Sequence, residues 1–83
     1  MTAIKEDLLK AIALALDNKW DAAHRIVQRY EADTIASWIH AVLHKIEGDL
    51  SNSRYWYSRA NKLAHVSDEP RVELQAIKAE ITQ

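Results

Sequence analysis

The sequence predicts an all-α fold: two antiparallel helical hairpins followed by a single terminal helix. Three observations carry this. The 83 residues contain one glycine and one proline, too few turn residues for an all-β protein of this size. Apolar side chains recur at spacings of three and four along most of the chain, the period of a helix face. The segments between these runs are only a few residues long, which makes successive helices antiparallel neighbours.

Each element has its own signature. In the first helix Ile4, Leu8, Ala11, Ile12, Ala15 and Leu16 share a face, Thr2 offers a cap, and Asp17-Asn18-Lys19 ends the pattern. The second is shorter, with Trp20, Ala23, Val27 and Tyr30 as its stripe and Ile26 beside it. Asp33 caps a third helix beginning at Thr34, whose inward positions are Ile35, Ile39, Val42 and Ile46. Gly48 stops it, because a helix commonly ends on a glycine in the left-handed conformation. Asp49 caps the fourth, in which Leu50, Ser53, Tyr57, Ala60 and Ala64 share a face. Pro70 suits the first position of the fifth, where Leu74, Ile77 and Ile81 point in and Arg71, Glu73, Lys78 and Glu80 form the charged outer face. A single domain over residues 1–83 is expected, with hairpins at about 3–31 and 34–66 and a terminal helix at about 70–82.

Composition removes several function classes. A hydrophobic content of 48% is too high for a disordered chain. Twelve acidic residues against eleven basic ones leave a net charge of −1, which argues against nucleic acid or an anionic membrane as partner. Without cysteine there is no disulfide and no thiolate ligand. No run approaches the roughly 18 apolar residues of a membrane span. Lys5, Glu6, Asp7 and Lys10 interrupt the N-terminal stretch, unlike a signal peptide, so a cytoplasmic protein is expected. Glycine-rich phosphate loops and glycine-flanked serine elbows are missing. No catalytic residue and no cofactor are therefore expected.

The two hairpins superpose at a constant offset of 30 residues: Ala11, Trp20, Ala23 and Val27 fall on Ala41, Leu50, Ser53 and Tyr57. Small residues thereby face each other within each hairpin and let its helices approach closely. Ala41, Gly48-Asp49, Ser53, Tyr57 and Ala60 follow the order small, Gly-Asp turn, small, aromatic, alanine. In this the second hairpin resembles a tetratricopeptide repeat. The resemblance implies a right-handed helical array, a groove lined by the first helix of each hairpin that takes a peptide, and a fifth helix that caps the stack. The first hairpin departs from the pattern, with no Gly-Asp turn and Tyr30 where alanine stands in the family. Trp38-Ile39-His40-Ala41, Leu43-His44, Glu47-Gly48-Asp49 and Tyr55-Trp56-Tyr57 with Arg59-Ala60 are also similar to a small group of uncharacterised bacterial proteins.

Candidate site residues cluster in the second hairpin. His40 and His44 lie four apart on one helix face, with Glu47 one turn on, and this face is expected to turn toward Ser53, Tyr57 and Arg59 of the fourth helix. A hydrogen-bonded structural network without metal is the preferred reading. A metal pair and a ligand or catalytic pocket between the third and fourth helices are the alternatives. Ala41 occupies the place of the glutamate in the zinc-protease motif, which excludes that motif. His24 and His65 read as isolated surface residues. Of three consecutive aromatics, Tyr57 faces in while Tyr55 points away from that face, packed under the fifth helix or stacked on Arg59, or else free as an anchor for a partner. Trp38 either lines the groove side with Val42 and Lys45 in the repeat register or, as the preferred reading, is buried against the first hairpin.

The first helix is apolar on more than one side, because Leu9, Ala13 and Leu14 lie off its main stripe. With few helices available to cover it, these three mark a self-association face and a homodimer. The function expected on these grounds is a non-enzymatic interaction module that binds a protein segment or itself.

Overall fold

Caps and stops written in the sequence define the observed elements. The computed structural model describes residues 2–83 and the side chains of residues 4–83; the Thr2 cap lies outside those side chains. Helix α1 spans Thr2–Leu16, α2 Trp20–Val27, α3 Thr34–Glu47, α4 Leu50–Ala60 and α5 Pro70–Ile81. Single 3-10 turns follow α2 at Gln28–Tyr30 and precede α5 at Leu63–His65. The all-α expectation holds, with five helices among the described residues. The Asp33 carboxylate accepts from the Ala36 amide at 2.8 Å, Asp49 from that of Asn52, and Glu69 from those of Arg71 and Val72, so the N-termini of α3, α4 and α5 are capped. Gly48 closes α3 at φ 87°.

Helix α3 is the axis of the molecule. Every residue from Ala36 to His44 is buried, because α3 packs against α1, α2, α4 and α5. Within the second hairpin the small residues Ala41 and Ser53 meet. Ala11, Ala23, Ala41 and Ser53 are all buried, and the Ser53 hydroxyl donates to the Ala41 carbonyl at 2.7 Å. This order of hairpins is compatible with a tetratricopeptide-like array. Helix α5 packs against α1 and α3, the first helices of both hairpins, burying Leu74 and Ile77 completely.

Four expectations need correction. Helix α4 ends at Ala60 because Asn61 adopts the left-handed conformation at φ 59°, which leaves Ala64 in the following turn and exposed. Ile46 and Leu50, read as inward, are 45% and 62% exposed, since the turn around Gly48 projects past its neighbours. Trp38 is buried against the 62–66 turn and α5 rather than the first hairpin, with its ring 5.0 Å from that of His65. Glu73, assigned to the outer face of α5, is fully buried. Helix α1 is enclosed by α2, α3 and α5, leaving Leu9 and Leu14 half-buried and Ala13 exposed. Among the described residues no helix is long and apolar enough to cross a membrane.

Candidate functional site

Two helices build a histidine centre. The i, i+4 spacing sets His40 and His44 on one face of α3, their rings stacked at 5.0 Å. Helix α2 packs onto this face and brings in His24, one turn beyond Trp20. The Nε2 atoms of His24 and His40 are 3.0 Å apart, and one ring nitrogen from each of the three histidines lies within 4.8 Å of the others. Indole rings flank the group: Trp20 stacks on His24 at 4.5 Å and Trp56 of α4 on His40 at 3.9 Å. Trp20 is itself anchored by its Nε1–H, which donates to the Leu43 carbonyl at 2.6 Å.

Protonation follows from these contacts. Burial, and then the neighbouring imidazoles His24 and His44, hold the pKa of His40 down at about 3. Burial and then His44 also lower that of His24. Both rings are neutral at neutral pH, so a hydrogen bond between the facing Nε2 atoms requires one ring to carry its proton there and the other to accept. His40 Nδ1 is buried and meets no protein partner. A proton there would be an orphan donor costing about 1–3 kcal/mol, more than an unused lone pair. The proton therefore sits on His40 Nε2, which donates to His24 Nε2. The Nδ1 of His44 is 2.6 Å from Glu47 Oε1, so His44 donates to that carboxylate and turns the Nε2 lone pair to the other side of its ring.

A second network takes up Tyr57, which was expected to face the histidines. Buried Glu73, 2% exposed, accepts from Trp38 Nε1–H at 2.7 Å, from the Tyr57 hydroxyl at 2.7 Å and from the Lys45 ammonium at 2.7 Å. Burial and then the contact with Glu73 push the Tyr57 hydroxyl pKa up. The Lys45 ammonium also donates to the carbonyls of His65, Val66 and Asp68, fastening the turn between α4 and α5. His65, Asp68 and Glu73 have the spacing of a cation site, yet the Lys45 charge already occupies it.

The candidates therefore divide between two places. His40, His44 and Glu47 belong to the histidine centre, whereas Tyr57 and Trp38 bind Glu73. The centre lies between α2 and α3, with α4 contributing Trp56. Arg59 donates to the Glu31 carbonyl and to the Tyr55 hydroxyl; Tyr55 is 52% exposed. His65 is half-buried and bound to Asp68 at 2.7 Å. His24 was missed because it stands alone in sequence, although its spacing of four from Trp20 repeats that of His40 and His44. A cleft of about 470 Å³ lined by Ala15, Leu43, Ile46, Leu74 and Arg71 touches none of the histidines and shares only Trp20 with them. Comparison with protein-family models, curated proteins and solved structures finds no match.

Proposed function

We propose that this protein binds a divalent transition-metal ion of the zinc class through His24, His40 and His44. The observation that carries the reading is the convergence of three imidazole nitrogens from two helices within 4.8 Å. In a tetrahedral site with Zn–N bonds of ~2.0–2.1 Å, ligand nitrogens stand roughly 3.3 Å apart. The 3.0 Å His24–His40 pair is near that value, and His44 closes the remainder by side-chain rotation. Glu47 on His44 Nδ1 is the arrangement that orients a ligating imidazole and raises its basicity. An all-nitrogen donor set favours zinc, copper or nickel over calcium and magnesium. The expectation of an interaction module rests on the apolar breadth of α1, and the histidines offer the more specific chemistry.

Loading moves the His40 proton from Nε2 to Nδ1, where no protein group accepts it. That cost, about 1–3 kcal/mol, weakens affinity by roughly 5- to 150-fold relative to a fully satisfied three-histidine site. Titration of the EDTA-stripped protein with zinc, followed by calorimetry and by the emission of Trp20 and Trp56, tests the reading. One ion per chain is expected, with a rise in melting temperature, and no response to calcium. Glu47→Gln should weaken binding about 10- to 100-fold, and His24→Ala should abolish it. Zinc binding that survives His24→Ala unchanged refutes the assignment.

A further inference from the structure

We infer that the ion held by His24, His40 and His44 keeps one coordination position for solvent, which small monodentate anions can displace. This rests on the metal-binding reading above and goes further, because it separates a centre able to activate a bound molecule from one that only holds the fold. Structural zinc sites are closed by four protein ligands, whereas sites that act on substrates have three and an open position.

The donor count here is three. Among the described residues, the groups with metal-ligand spacing that include His24 and His40 add only His44. Glu47 and Asp49 are grouped with His44 alone. Glu47 meets its Nδ1 at 2.6 Å, on the ring edge away from the Nε2 that faces an ion. Asp49 is engaged as the cap of α4. His65 is held by Asp68 beside Trp38. Thus no fourth side chain is poised to complete the tetrahedron.

Access is one-sided. His40 and His44 are buried, and Trp56 covers the face of His40. His24 is half-buried, so the side of the centre nearest solvent is that of His24. The indoles of Trp20 and Trp56 line the centre, so the ligand it takes is small and binds through one atom. Hydroxide, azide and thiocyanate fit this description. An ion held by His24, His40 and His44 would supply Lewis acidity to a small molecule bound at that position.

Cobalt(II) loading of the full chain reports both steps separately. Visible ligand-field bands that require His24, His40 and His44 are expected, and thiocyanate or azide should shift them saturably. If cobalt gives no histidine-dependent bands, the metal reading fails and this inference with it. If the bands form but neither anion moves them, the ion is bound and its fourth position is closed, which overturns the inference alone. An anion response that emerges only in Glu47→Gln or Asp49→Asn overturns it too, by identifying the carboxylate that had filled the position.

Discussion

Replacing Glu73 by glutamine should be among the most destabilising conservative changes in this protein. Each oxygen of the Glu73 carboxylate faces a group able only to donate: Oε2 faces the Trp38 Nε1–H and Oε1 the Lys45 ammonium, both at 2.7 Å. A glutamine of the same shape has one oxygen and one NH2. With its oxygen toward Lys45 it points an N–H at the indole N–H; flipped, it points an N–H at the ammonium. Either way a buried donor faces a donor, and the ammonium loses the carboxylate beside it. Breaking a buried charge pair by removing one partner costs about 3–5 kcal/mol, against a total stability of roughly 4–12 kcal/mol for a chain of this length. Urea denaturation followed by far-ultraviolet circular dichroism measures the loss. Trp38→Phe and Tyr57→Phe leave the ion pair intact and should cost less, about 1–2 kcal/mol each. The double variant Glu73→Gln with Lys45→Met removes the stranded charge, so it should be less destabilised than the sum of its parts. If Glu73→Gln unfolds within about 1 kcal/mol of the parent, the network contributes far less than its geometry implies and the reasoning fails.

Two further outcomes are expected of the metal-free protein. The folded pKa of His40 is depressed to about 3 from 6.5, so the unfolded chain takes up the proton first as pH falls. The stability concerned is fully present above 6.5 and is lost progressively below it. Between about pH 7 and about pH 5 the loss is about 2 kcal/mol from His40 alone, and the lowered pKa of His24 acts in the same direction. Denaturation midpoints measured in EDTA across that range should fall with acidification and flatten in His40→Phe; a parent profile that is already flat contradicts the burial argument. Gly48→Ala should cost about 1–2 kcal/mol from the left-handed backbone alone, since a Cβ there meets nothing within 4 Å. Gly48→Asn, which tolerates that conformation better, should recover part of the loss in the same thermal melt.

Most of the fold is legible in the sequence because its signals are local. Apolar spacing, the Asp33 and Asp49 caps, Gly48 and Pro70 each act within one or two turns of helix, and each lies where the pattern places it. The misplacements arise where tertiary contacts compete with period. Ile46 and Leu50 fit their stripes, yet the turn they flank extends beyond the helices that would cover them. Glu73 reads as surface charge because periodicity cannot anticipate a cation, an indole and a phenol arriving from α3 and α4. A lone glutamate among outer-face residues gives no local sign of three buried donors, although Trp38, Lys45 and Tyr57 each carry a hydrogen that burial obliges them to share.

The histidine centre shows the same division more sharply. That His40 and His44 share a face follows from helix geometry alone, and so does the reach of Glu47 to His44. What they face depends on which helix packs over them. The hairpin pairing directs attention to α4, but the side chains of α4 expected there are drawn elsewhere: Ser53 to the Ala41 carbonyl, Tyr57 to Glu73, Arg59 to the Glu31 carbonyl. Helix α2 packs against α3 as well as α1, and so places His24 opposite the pair. The third imidazole changes the chemistry. His40, His44 and Glu47 alone read as a structural network. With His24 added, His40 pairs through Nε2 with His24 Nε2 rather than with α4, and its Nδ1 stays without a protein partner. Periodicity along α3 shows two of these three imidazoles, and only the packing of α2 supplies the third.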